Sequence, residues 1–405
     1  MNTMVNDSRL FNASCFALIT TAFSFSIRAG ILPQLQTELN LTGEEVGYIN
    51  SMWFYGFPLS MIIGGLVYHT IGPKIIMQFA FFAHFAGIIL TIYGGSYIGL
   101  LISTFLIGLG NGCTEAACNP LIADTYSGTK MNTMLNRFHM WFPGGIVVGS
   151  LLSELMTTMG FAWQTQIWFI LIPTLIYAFL FYGQAFPKPK VEGATSVGNN
   201  LKAMATPLFI FIFVCMILTA TTEFGPQQWV GLILKSSGAK PMLILALVTG
   251  LMAVARFFGG AIIHKFDQTG VLLGSAVLAT IGVYLFSTQT GTMAYVAAIF
   301  FAMGVAYFWP TMIGFTAERV PLSGALGMSV IGGIGMLSQA FMNPQIGKWL
   351  DTAKANQASL GLQGEQLELA AGQEVLGILT LFPIVLVVLF AGLYFWQRGK
   401  KPAHA

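Results

Sequence analysis

Charge is what this sequence has least of. Asp, Glu, Lys and Arg make up 8% of its 405 residues, against about 25% in an average soluble domain. So little charge cannot cover a water-facing surface, which excludes a soluble globular chain of this length. The net charge of +3 is small and gives no sign of a nucleic-acid partner. Cysteine is scarce too: Cys15, Cys113, Cys118 and Cys215 all lie in apolar stretches at spacings that match no CxxC or zinc pattern. They read as small core hydrophobes, and no metal is expected. No GxxxxGK[ST] loop is present, which removes ATP as an energy source. Nor does any catalytic triad stand out, so the chain does not read as an enzyme.

Hydrophobic residues, in contrast, make up 55% of the chain, with 46 Gly and 20 Met. A helix needs about 20 largely apolar residues to span a bilayer. Twelve stretches qualify: 10–33, 46–71, 75–94, 97–123, 133–157, 164–184, 207–233, 241–263, 270–289, 292–316, 323–346 and 374–396. The first apolar run ends at Arg28 without a small-residue cleavage site, so it counts as a span and not as a signal peptide. Residues 185–206 carry Pro and Lys and divide the chain into six spans (1–184) and six spans (207–405). Lys348–Gln373 reads as a polar loop. The fold class that follows is all-α integral membrane, twelve helices in two pseudo-symmetric six-helix bundles.

Lys and Arg in short loops set orientation. Placing both termini in the cytoplasm leaves eleven of these residues inside and four outside, so a bacterial-type inner membrane with both termini cytoplasmic is expected. An internal repeat supports two halves: Gly65-Leu-Val-Tyr-His69 closes the second span and Gly260-Ala-Ile-Ile-His264 the eighth, 195 residues later. Asn119-Pro120 in the fourth span likewise recurs as Trp309-Pro310 in the tenth.

Ionisable groups inside a span are costly, and they mark pathways or pairs. Arg28 either binds an anionic substrate group, pairs with Glu115, or snorkels to the headgroups beside Pro33. Glu115 lies too far from either end of its span to snorkel and is the carboxylate expected to titrate or switch partners. Its alternative is a permanent ion pair. His139, at the start of the fifth span, adds a group titrating near neutrality or a headgroup-level histidine. In the seventh span Gly225-Pro226 is expected to break or kink the helix beside Glu223, exposing backbone to a cavity. Gln227, Gln228 and Trp229 then supply amides and a stacking ring for a hydroxylated ligand, or form part of an interfacial belt. Asn119, Asn136, Trp141 and Trp309 complete the candidate lining.

Gly65-Leu-Val-Tyr-His69-Thr-Ile-Gly72-Pro-Lys74 resembles the loop signature of the major facilitator superfamily, G-x-x-x-D-x-x-G-x-K/R, with His69 where the family has Asp. Glu115-Ala-Ala-Cys-Asn119-Pro120, Leu135-Asn136, Phe142–Gly145, Thr222-Glu223-Phe224-Gly225 and Arg256-Phe257-Phe258-Gly259-Gly260 are similar to the fucose–proton symporter branch. The resemblance implies the major facilitator fold and a central cavity open alternately to each side. It implies Glu115 as the fourth-helix carboxylate of proton coupling or sugar binding, and His139 at the place of a sugar-contacting Gln. Ala29 stands where that branch has a first-helix Asp, so fucose itself is not implied. The function expected is cation symport of a small polar solute, a sugar or sugar derivative, with H+ rather than Na+ and no cofactor. An organic-anion carrier using Arg28, for a sugar acid or phosphate ester, is the alternative; a drug efflux pump is another. The partners expected are a small-molecule substrate and membrane lipid, with the protein a monomer.

Overall fold

The computed structural model describes residues 5–126, 134, 137–187, 197–257 and 259–398. The described chain is almost wholly helical, and the helices begin where capping chemistry allows. α1 (Asp7–Glu38) starts after Asn6, whose side chain accepts the Arg9 backbone N–H at 3.0 Å. α2 (Gly43–Tyr93) opens with a capping box: Thr42 Oγ1 accepts from Glu45 N at 3.2 Å and Glu45 Oε2 from Thr42 N at 2.9 Å. Then follow α3 (Tyr97–Thr125), α4 (Trp141–Thr158) and α5 (Trp163–Phe181). The short α6 (Val197–Met204) precedes α7 (Pro207–Ile233), α8 (Pro241–Phe257), α9 (Gly259–Thr288), α10 (Thr292–Val305), α11 (Phe308–Arg319), α12 (Gly324–Ser359) and α13 (Gly364–Arg398). Nine described segments are long and apolar enough to cross a membrane.

Two of these helices turn sharply within their length. α2 holds two spans and breaks at Gly72, φ 78° and ψ 161°, and α9 breaks at Asp267, φ 55° and ψ 170°, near the start of its one span, Lys265–Thr288. The two breaks are 195 positions apart, the offset of the Gly65/Gly260 repeat. At the first, glycine carries the left-handed φ without a Cβ penalty and Pro73 starts the next span. At the second, Asp267 takes the strained φ, and its Oδ1 accepts from Thr269 Oγ1 at 2.7 Å and Gly270 N at 2.8 Å. That carboxylate therefore caps the span that follows.

Two expectations are corrected. Lys348–Gln373 is not a loop: α12 runs on to Ser359 and α13 starts at Gly364, tied by Lys354–Glu368 at 3.0 Å and Gln357 to Glu374 at 2.9 Å. The segment is rich in Ala, Gln, Glu and Leu, strong helix formers that a hydropathy search passes over. α7 also continues through Pro226 without a break, although that proline cannot donate to the Thr222 carbonyl. The tenth span does break, between α10 and α11 at Ala306 and Tyr307.

The chain forms two compact units, Met1–Gly193 with Ala340–Lys348, and Ala194–Gln339 with Trp349–Ala405. In the first unit α1 packs on α4 and α5, and α2 lies along α3. The α2–α3 seam runs on glycine: a Cβ on Gly108 would stand 2.5 Å from the Trp53 carbonyl oxygen. Close backbone approach through small residues is how helices associate in lipid, where no hydrophobic force drives them together. Tyr68 donates to Asp124 Oδ2 at 2.7 Å and joins the two helices near the Gly72 break. Arg9 donates through Nε to the Leu180 carbonyl at 2.8 Å and through Nη2 to that of Phe179 at 2.9 Å, closing the end of α5. Cys15, Cys113 and Cys118 sit in this unit's apolar core, and Cys215 is buried in α7, as packing residues should be. In the second unit α9 packs on α10 and α13, and α7 on α13 and α11.

Candidate functional site

The first unit holds a cation in its interior. Arg28, on α1 and 6% exposed, places its guanidinium 5.1 Å from the ring centre of Trp53 and 5.9 Å from that of Phe54, both on α2. A guanidinium over aromatic faces gains from the ring quadrupoles, more so where water is excluded. The Trp53 ring is itself wedged, edge-on to Phe25 at 5.8 Å and stacked on Phe57 at 5.3 Å. Arg28 is thus an interior residue and not one that snorkels.

Glu115 is half-buried on α3. Its Oε2 accepts from Asn119 Nδ2 at 2.7 Å, and the same amide donates to the Glu115 carbonyl at 3.1 Å. This i to i+4 clasp lies beside Pro120, which leaves the Ala116 carbonyl without its helical donor. Asn119 Oδ1 is buried and has no hydrogen-bond partner among the described residues. The carboxylate is therefore held by a neutral amide of its own helix, and Arg28 is held against tryptophan. Asn136 lies outside the described residues. His139 and Trp141 are exposed, the latter 42%, where the chain enters α4.

In the second unit Glu223 on α7 is buried and faces Arg256 on α8, with Nη2 to Oε1 at 3.4 Å. Its other oxygen, Oε2, is buried without a hydrogen-bond partner among the described residues. Arg256 is anchored at a second point. Pro310 has no N–H to give the Ala306 carbonyl, and Arg256 Nε donates to that carbonyl at 2.9 Å. Tyr307, at the same break, donates its hydroxyl to the Ala255 carbonyl near the end of α8 at 2.7 Å. A helix break thereby fixes one edge of a guanidinium and aims the other at a carboxylate. Gln227 and Gln228 are buried, the former with its amide 3.7 Å from Met252 Sδ, and Trp229 is fully buried. Trp309 is half-buried and meets Phe224 edge-on at 5.9 Å.

The structure therefore brings together Arg28 with Trp53, Glu115 with Asn119, and Glu223 with Arg256. Sequence reasoning did not select Arg256 or Trp53 as site residues. The signal for Arg256 was available, since an arginine within a span needs a partner and Glu223 was the acidic residue of the neighbouring span.

Comparison with known proteins bears on the whole chain. A family model described as Major Facilitator Superfamily matches residues 14–343. A hexuronate transporter of Bacillus subtilis is 22% identical over 323 residues, 74% of each chain. The cis,cis-muconate transport protein of Acinetobacter baylyi is 22% identical over 358 residues, 82% of this chain and 84% of that one. Among solved structures, a mutant form of the nucleoside transporter NupG superposes with a TM-score of 0.79 over 96% of this chain and 99% of that one. At 14% identity, that likeness concerns the fold alone.

Proposed function

This chain belongs to the Major Facilitator Superfamily, and on that premise we propose that the solute it carries is a small organic carboxylate, such as a sugar acid, bound by Arg28 and moved together with protons. The protein is a multi-pass secondary transporter and not an enzyme. The observation that carries the substrate reading is the Arg28 guanidinium, stacked 5.1 Å from Trp53 inside the first unit. Stacking engages the faces of a guanidinium, whereas a carboxylate is read by the N–H donors along its edge. In a dry interior, that charge-assisted fork is worth more than it is in water. The relatives' names point the same way, since hexuronate and cis,cis-muconate are both carboxylates.

Proton coupling follows from charge. Moving one negative charge inward against 100 mV costs about 2.3 kcal/mol, which a proton carried with it cancels. Glu223 and Glu115 are the groups to carry it. Protonating Glu223 removes the charge opposite Arg256, and protonating Glu115 changes what Asn119 can donate to. H+ rather than Na+ is the coupling ion of this reading. The loop charges support both termini in the cytoplasm, and the reading takes the protein as a monomer in a bacterial-type inner membrane.

A neutral sugar is the second reading. It is favoured by the likeness of Glu115–Pro120 to the fucose–proton symporter branch and by the aromatic pair Phe224 and Trp309. Purified protein in proteoliposomes separates the two, using uptake of D-glucuronate and D-glucuronamide under an imposed inward proton gradient. Wild type should accumulate the acid and not the amide. Arg28→Gln should lower acid uptake at least about tenfold, the worth of one charge-assisted contact. Unchanged glucuronate uptake by Arg28→Gln would discard the anion reading.

A further inference from the structure

A second buried polar group adjoins Trp53. His84 (second span of α2), Asn111 (α3), Tyr177 (α5), Ser24 (α1) and Trp53 (first span of α2) are each between 0 and 2% exposed. Their bonds form one chain. Tyr177 Oη is 2.9 Å from His84 Nδ1, and His84 Nε2 is 2.9 Å from Asn111 Oδ1. Asn111 Nδ2 reaches Ser24 Oγ at 3.1 Å, and Trp53 Nε1 reaches the same oxygen at 3.0 Å.

The protons in this chain have one consistent arrangement. Ser24 donates its only hydrogen to the Thr21 carbonyl at 2.8 Å. Its oxygen can then only accept, so both Asn111 and Trp53 must donate to it. Asn111 turns its amide toward Ser24 and therefore its carbonyl toward His84. That carbonyl needs a donor, which puts the hydrogen of a neutral imidazole on Nε2. Nδ1 is left to accept from the Tyr177 hydroxyl. From Tyr177 through His84 and Asn111 to Ser24 each donor points the same way, and the Trp53 indole donates from the other side into the Ser24 oxygen where that run ends.

We propose that His84 is a positioning residue: acting through Asn111 and Ser24, it fixes the rotation of the Trp53 ring on which the Arg28 guanidinium rests, and so sets affinity for the carboxylate. This inference rests on the anion reading for the substrate and adds a residue four contacts removed from Arg28. Simple packing does not call for such a chain. An apolar side chain of similar volume would fill the space beside Gly110, where a Cβ would clash with the imidazole ring. A buried polar group is costly unless fully bonded, and here each bond serves to orient the next.

The test has two readouts. In protein labelled with 15N-tryptophan, the Trp53 indole N–H signal is identified by its disappearance in Trp53→Phe. His84→Leu and Ser24→Ala should both shift that signal and speed its exchange. His84→Gln, which can donate to Asn111 and accept from Tyr177, should restore it. Thr174→Val, equally buried on α5 but outside the chain, should leave it in place. In binding, His84→Leu should weaken D-glucuronate about tenfold, the size of one desolvated cation–π contact, and leave D-glucuronamide within about twofold. If His84→Leu does not fold, Ser24→Ala carries the same expectations. An indole signal unmoved in His84→Leu and Ser24→Ala alike, an equal shift in Thr174→Val, or equal weakening of acid and amide would each overturn the proposal. Loss of the anion reading shows separately, as unchanged glucuronate affinity in Arg28→Gln, while the indole signal still reports whether His84 controls Trp53.

Discussion

Removing Arg256 should expose how much of the second unit depends on one guanidinium. In Arg256→Met the Glu223 carboxylate, its side chain 5% exposed, loses its cation at 3.4 Å. The Ala306 carbonyl loses a donor at 2.9 Å that Pro310 cannot replace. Breaking a buried pair from one side costs about 3–5 kcal/mol. The Arg256 side chain is 30% exposed, and solvent screening brings this pair below that range, to about 2–3 kcal/mol. The orphaned carbonyl adds about 1 kcal/mol. The two contributions separate by mutation. Glu223→Gln added to Arg256→Met removes the stranded charge and should recover about 2 kcal/mol, leaving the carbonyl unmet. All four cysteines are buried, so a dye that fluoresces on reaction with thiols reports unfolding of purified protein in detergent during heating or denaturant titration. The expected order of stability is wild type, then the double variant, then Arg256→Met. If Arg256→Met lies within about 0.5 kcal/mol of wild type, the scatter of an ordinary surface substitution, the account of this pair is wrong. It is equally wrong if Glu223→Gln restores nothing.

Glu115→Gln should abolish uphill, pH-driven accumulation of D-glucuronate while leaving exchange of internal for external solute, and full pH-driven uptake by that variant would remove Glu115 from coupling. At the α9 break, Asp267→Ala keeps the left-handed backbone but loses the bonds to Thr269 and Gly270. It should destabilise by about 1–2 kcal/mol. Asp267→Gly should cost less, because glycine relieves the φ of 55° that aspartate bears. The same thiol-labelling melt ranks the two, and equal losses would show that backbone strain contributes nothing at this break.

The span pattern was legible because hydropathy is additive along the chain, so twenty apolar residues declare a helix without knowledge of their neighbours. The repeat of Gly65–His69 at Gly260–His264 pointed to two related halves, and the backbone breaks at Gly72 and Asp267 stand the same 195 positions apart. Arg28, Glu115 and Glu223 could be singled out for a similar reason: charge within an apolar run is costly wherever the run folds. The same reliance on hydropathy explains the misreading of Lys348–Gln373, where helix propensity and cross-helix ion pairs order a segment too polar to count as a span. The expected break at Pro226 did not appear because the effect of a proline depends on what surrounds the helix. At Pro310 an arginine from another helix bonds the freed carbonyl, and there the chain does break.

Composition and order along the chain thus determined by themselves that this is a polytopic, all-helical membrane protein with ionisable groups buried inside its spans. Only the tertiary structure decided the partner of each group. Arg28 went to Trp53, Glu115 to Asn119, Glu223 to Arg256, and His84 into a chain with Tyr177 and Asn111. Apart from the Glu115–Asn119 clasp, these contacts join helices or spans at least 25 residues apart. Helical periodicity tells which residues share a face, but not which distant face it will meet.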